Sequence, residues 1–315
     1  MLGHLQEVIE YLNENMCDPV PQYILNKEIR NSPTVMMKSL YESKWYKQLA
    51  TEQWQNGSWG RFHTQDTKSL SKQKFTTTEN ALRRALELSL DKNDEMIHNS
   101  IQLMERYIED QEAWLDINEH HENFHIAFKT LIAANLSLFD PKNSLVQAKK
   151  EVCAECISKA FKNGSLDEAV WEEEYKKYRE IYLKPFTVYI VWLLQNNEFL
   201  DSAIEREFLT YIWNRNEGIY YRTDCSPLET YYLESKKFST WLTSLETLSA
   251  FSLFPDFMHK GISTHLLNEI HRLMNHDITL PNSHSIFSHY SESWSKKQYR
   301  KNDMILRILR ILVKC

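Results

Sequence analysis

Asn118-Glu119-His120-His121-Glu122-Asn123-Phe124-His125 is the densest grouping of side chains able to do chemistry in this 315-residue chain. Within it, His121-Glu122-x-x-His125 fits the H-E-x-x-H pattern, in which two histidines four apart share a helix face and hold zinc while the glutamate activates the metal-bound water. Glu151 or Glu155 would supply a third ligand. Asn123 and Phe124 do not form the hydrophobic helix interior that such enzymes prefer, so the metal-free reading is the stronger one. On it the segment is a polar, histidine-rich helix entrance suited to acid and base work, because imidazole titrates near neutrality. Asp116, Glu119, His121, Glu122 and His125 are then the candidate catalytic residues. His121, His125 and Glu151 stand as the alternative metal set, and the sequence names no cofactor.

Positive charge is a second resource. Arg222, Lys236 and Lys237 lie in the irregular stretch 220–237, and long connections in a compact domain are often lids. Their side chains suit an anionic substrate group such as a diphosphate, through charge-assisted hydrogen bonds. Cys153-x-x-Cys156 falls in a helix middle without a preceding strand, which favours buried structural thiols over a redox or metal pair. The run Trp171 to Glu180 pairs Glu with Lys and Arg near helical spacing and reads as a solvated face. A net charge of −6 and a pI of about 6.1 leave no basic footprint for nucleic acid. No run of about 18 apolar residues is present to span a bilayer. Five scattered cysteines behind an amphipathic, acid-bearing start predict a reducing cytoplasm.

Helices must position these groups. Gln53 to Phe62 holds Trp54, Trp59, Gly57 and Gly60, and Asn56-Gly57-Ser58 marks a tight loop. Related loops centre on Glu112, Gly164 and Gly218, at steps of 55, 52 and 54 residues, a spacing that fits a helical hairpin repeated along the chain. An aromatic residue is followed seven positions later by leucine at Phe75/Leu82, Phe124/Leu131, Phe186/Leu193, Phe238/Leu245 and Tyr299/Leu306. These open helices that are apolar over most of their circumference, hence inner ones. The amphipathic stretches 94–109, 145–161, 199–213 and 261–274 read as outer helices with one wet face. Helices are also expected over 2–16 and 34–50, and Thr76-x-x-Glu79 offers a capping box. The alternation predicts an all-α protein, a double-layered helical barrel of five or six hairpins in one domain over 1–315, with an open solenoid as the alternative.

Gln53-Trp54-Gln55-Asn56-Gly57-Ser58-Trp59-Gly60, with the helix start Thr76-Thr77-Thr78-Glu79-Asn80-Ala81-Leu82 behind it, resembles the QW-type repeat of terpenoid cyclases and protein prenyltransferase β subunits. The resemblance implies an α/α toroid whose cavity is ringed by inner-helix N-termini and takes a hydrophobic, isoprenoid-like substrate. Neither Asp-x-Asp-Asp nor Asp-Asp-x-x-Asp is present, so the usual proton donor and magnesium site of that family are missing. If inner-helix starts face a cavity, Glu79, Arg83, Tyr189 and Trp241 line it, joined by Arg222 and Lys237 as substrate-binding candidates. The plainer reading of the first two is that Glu79 caps its helix and Arg83 pairs with Glu87. A carbohydrate-processing or non-catalytic barrel is the remaining alternative.

Overall fold

The structure, a computed structural model, describes residues 2–32, 37–65, 73–116, 123–258, 260–281 and 289–315. Fifteen α-helices carry the described chain: α1 (Leu2–Asn15), α2 (Pro19–Ile24), α3 (Met37–Glu42), α4 (Lys44–Glu52), α5 (Thr78–Glu87), α6 (Glu95–Ile108), α7 (Phe124–Ser137), α8 (Ser144–Ala160), α9 (Glu168–Tyr178), α10 (Val188–Leu194), α11 (Ser202–Trp213), α12 (Phe238–Leu248), α13 (Phe254–Phe257), α14 (Lys260–Asn275) and α15 (Lys297–Leu312). Among the described residues there is no strand, only one isolated parallel backbone pairing of Thr187 with Tyr220. The protein is all-α.

The two expected classes of helix are present. All seven residues of α10 are buried, as are most of those in α7 and α12. By contrast α6 buries one stripe, Met96, Ile97, Ser100, Ile101, Leu103, Met104 and Tyr107, and turns Glu95, His98 and Gln102 outward. Polar caps start many of these helices: Thr77 accepts the Asn80 N–H, Asn143 that of Leu145, and Asp167 and Asp201 do the same for α9 and α11. Helix α7 packs on α10, α10 on α12, and α12 on α15. Asn135 of α7 donates to Glu79 of α5, and Arg310 of α15 donates to the Glu87 carbonyl at the other end of α5. The five inner helices therefore touch in cyclic order, and α1 covers both α15 and α14.

The loop at 53–60 is a bracket. Trp59 is fully buried and its indole N–H donates to the Leu49 carbonyl at 2.8 Å. Burial of that ring stabilises the hairpin by about 2–3 kcal/mol. Gln53 donates to the Met96 carbonyl and to Ser100, which ties the loop to α6. Gly57 has φ +92°, and a Cβ there would stand 2.5 Å from the Asn99 carbonyl oxygen, so both backbone sign and close approach require glycine.

Two expectations need correcting. The helix over 34–50 is two helices, because Ser43 leaves the helical region and caps the second through Tyr46 N–H; its expected start at 33–36 lies outside the described residues. The capping box at Thr76-x-x-Glu79 is not formed: Thr77 is the cap, and Glu79 reaches away from the helix end to other partners. The prolines after Asp18 end α1 but also begin α2, since proline is tolerated in the first helical turn.

Candidate functional site

Two irregular segments bring side chains to the inner helices. After the bracket, Arg61 and Phe62 offer their carbonyls to the first N–H groups of α5, from Thr78 and Glu79. This places His63 against Glu79, Nδ1 to carboxylate 2.7 Å. The phenol oxygen of Tyr189, at the start of α10, is 3.3 Å from the same nitrogen, and Tyr221 meets the imidazole edge to face. A carboxylate at Nδ1 orients the ring and favours the tautomer that carries its proton there. Burial, and then the Glu79 charge, push the Tyr189 phenol well above its ordinary value, so it stays protonated and donates to the Glu79 carboxylate.

From the other side, Val188 N–H donates to the Tyr220 carbonyl and Tyr220 N–H to that of Phe186. Arg222 follows two residues later. Around it stand Arg83 and Glu87 of α5, Glu246 of α12 and Arg307 of α15. Glu87 and Glu246 keep 17% and 29% of their side chains accessible, although each lies on an inner helix, so they face a space rather than packed core. Arg307 is held by both Glu246 oxygens, at 2.6 and 2.8 Å, and by Ser239 and Thr243. Arg310 is held by both oxygens of Glu28. Arg84 donates to the His289 carbonyl, and Arg83 lies 3.6 Å from Glu87. Arg222 buries an Nε that makes no hydrogen bond. Arg83 and Arg84 also bury such an Nε, but each has the Glu87 carboxylate beside it; Arg222 has no ion pair among the described residues, and Trp192 is its aromatic neighbour at 5.9 Å. Burial, then Arg83, pull its guanidinium down to about 9, still cationic at neutral pH but held there at a cost. Burial raises Glu87 as well. Five arginines thus share this centre with Glu28, Glu87 and Glu246, a positive excess inside an acidic protein.

The candidate residues sort as follows. Glu79, Arg83, Tyr189 and Arg222 come together at the centre. Arg83 has Glu87 as its near partner, as the plain reading expects. Trp241 is wholly buried with its N–H on the Pro227 carbonyl, and Lys237 is exposed beside the Tyr231 ring at 5.9 Å, so neither belongs to the cluster. Asp116 is a buried bracket: its carboxylate accepts the N–H groups of Phe62, His63 and Thr64 and the Thr64 hydroxyl. With its oxygens so occupied, it positions the His63 loop. His125 lies 3.4 Å from Asp110 and packs on Trp114. Glu119, His121 and Glu122 lie outside the described residues. Glu151 is exposed on α8. Cys153 and Cys156 are buried, and burial raises both thiols, which fits structural use.

Sequence reasoning missed His63, Glu87, Glu246 and Arg307. A signal existed for Glu246, the one charged residue of α12, where burial without purpose is costly; Glu87 and Arg307 lie in helices that carry several charged residues and do not stand out from them. No helix among the described residues is long and apolar enough to cross a membrane. Comparison of the chain with protein-family models, with curated proteins and with solved structures gave no match.

Proposed function

We propose that the chain is a single α/α toroid whose centre binds, and acts on, a small molecule carrying an anionic group. The carrying observation is Arg222, a cation with no ion pair among the described residues in a centre where Arg83, Arg84, Arg307 and Arg310 each have a glutamate and arginines outnumber glutamates. An arriving phosphate or carboxylate would accept charge-assisted bonds there and relieve the repulsion among Arg83, Arg222 and Arg307. The cyclic order of the inner helices supports the toroid. His63, with Glu79 behind it and Tyr189 beside it, is the acid and base of the site, a role first sought in the 116–125 cluster. Tyr221, exposed and packed on Tyr189, offers a face for a hydrocarbon part, so a prenyl diphosphate combines the two features best. A sugar phosphate is the rival occupant, favoured by the charged lining.

Calorimetric titration of the full-length chain with geranyl diphosphate, geraniol, inorganic diphosphate and glucose 1-phosphate tests this reading. Binding of the anions but not geraniol, weakened at least tenfold in Arg222→Met, is expected, since a charge-assisted pair contributes about 1.5–3 kcal/mol. Failure of every anion to bind, or binding indifferent to Arg222→Met, removes the proposal. Tighter binding of the sugar phosphate than of geranyl diphosphate moves it to the rival substrate.

A further inference from the structure

His4 and Glu7 stand three apart on α1, and His271 comes from α14, which packs against α1. One nitrogen from each imidazole and one Glu7 carboxylate oxygen all lie within 4.8 Å of one another. The two rings meet edge to face with centroids 5.7 Å apart. None of the three side chains has a hydrogen bond or ion pair among the described residues. Their neighbours do: Gln6 donates to Glu10, and Arg272 is spent on Glu234 and Glu269. Surface polar groups at a helix contact ordinarily pair with each other or splay into water. Here two neutral-capable nitrogens and an oxygen converge from two helices without bonding.

We propose that His4, Glu7 and His271 form a zinc site that clips α1 to α14. Two imidazoles and one carboxylate are a ligand set zinc uses when a water fills its fourth position. Metal–ligand bonds of about 2.0–2.2 Å put tetrahedral ligand atoms about 3.3 Å apart, so the three atoms must close by roughly an ångström. Exposed side chains on His4 and Glu7 reach that by rotation, with no backbone movement. Copper and nickel suit the same donors, and copper outranks zinc in intrinsic affinity, so the two are the competitors against which zinc binding is to be compared. The consequence lies at the closure of the helix cycle: α1 also packs on α15, whose Arg310 meets α5. Metal at this position would hold the N-terminal helix over that junction. The site is separate from the arginine centre and from the histidines at 120–125, and does not depend on the proposed function.

Equilibrium dialysis of the tag-free full-length chain against micromolar zinc, with metal analysis, reads it directly. One zinc per chain is expected, with a higher Tm than after chelation. His4→Ala and His271→Ala should each weaken binding by more than the roughly tenfold that losing even an outer partner costs. His121→Ala and His125→Ala should leave it unchanged. Cobalt in place of zinc should give the intense visible bands of a tetrahedral site. The proposal is overturned by absence of zinc at these concentrations, by zinc retained in both His4→Ala and His271→Ala, or by zinc lost in His121→Ala instead. All four variants are to be checked for an unchanged helical spectrum, and Glu7→Gln, which keeps size, guards against a folding artefact.

Discussion

The segments 53–64 and 213–223 use one backbone device to deliver opposite chemistry. Each turns at a glycine with positive φ, Gly57 at +92° and Gly218 at +67°, and each lays its backbone on the N-terminal edge of an inner helix. The first delivers His63, whose Nδ1 has a carboxylate at 2.7 Å. The second delivers Arg222, whose Nε has no partner. The first is pinned by a charge, the Asp116 carboxylate, and the second by small neutral groups: Thr223 accepts the Ile219 N–H and Ser226 donates to the Trp213 carbonyl. A repeated hairpin fixes where a residue arrives and leaves open which residue it is. The two deliveries meet where Tyr221 touches the His63 ring.

Removing the pin separates the segments most sharply. Asp116→Ala strips the acceptor from three N–H groups and the Thr64 hydroxyl, and buried donors without partners cost about 1–3 kcal/mol each. A loss of roughly 4 kcal/mol in denaturant unfolding is expected, against about 1 kcal/mol for Thr223→Val in the other segment. Equal losses would mean that the two are held alike. If Asp116 were catalytic instead, Asp116→Ala would keep its Tm and lose turnover.

The glycines come next. Gly57→Ala and Gly218→Ala each force a side chain into positive φ and against backbone, the Asn99 oxygen at 2.5 Å in one case and Cys225 atoms at 2.8 Å in the other. About 2–4 kcal/mol is expected for each. Gly164 has φ +80° but open space around it, so Gly164→Ala should cost about 1 kcal/mol, from backbone conformation alone. Thermal unfolding of the three variants ranks them, and a Gly164→Ala as damaging as the others would discredit close approach as the reason for glycine.

Much of this was legible in the sequence because it rests on local pattern. The inner helices at 78–87, 124–137, 188–194, 238–248 and 297–312 follow their aromatic-to-leucine spacing, and the outer helices α6, α8, α11 and α14 fall within a few residues of the amphipathic stretches. Ser43 was not legible, because Ser inside an apolar-periodic run signals a cap only once the chain direction changes. The site was legible in part. Glu79, Arg83 and Tyr189 follow from assuming that inner-helix starts converge, and Arg222 from reading 220–237 as a long connection with cations for an anionic group. His63 does not, since its place depends on Asp116, 53 residues away, holding the loop. Asp116 itself looked chemical by its type and neighbours, and only its hydrogen bonds show that its oxygens are already used. Trp241 was misplaced for a related reason: an aromatic residue at a helix start serves a wall or a core equally well until its N–H partner, here the Pro227 carbonyl, is known.

The smallest effect on stability bears most directly on function. Arg222→Met keeps most of the volume and removes a half-buried cation that burial and Arg83 both disfavour. Replacing such a charge by an apolar group of similar size is often neutral or stabilising, so Arg222→Met should unfold at equal or slightly higher denaturant, by about 1 kcal/mol at most. His63→Phe has the other sign: it leaves the Glu79 carboxylate without the imidazole at 2.7 Å and should cost about 1–2 kcal/mol. One delivered side chain then also stabilises the fold through its bond to Glu79, and the other is held against the structure's interest. Residues retained at a cost to the fold are where a ligand is expected to repay it. A clear destabilisation by Arg222→Met would show that the guanidinium is already satisfied in the resting protein, and the case for an anion at this centre would fail with it.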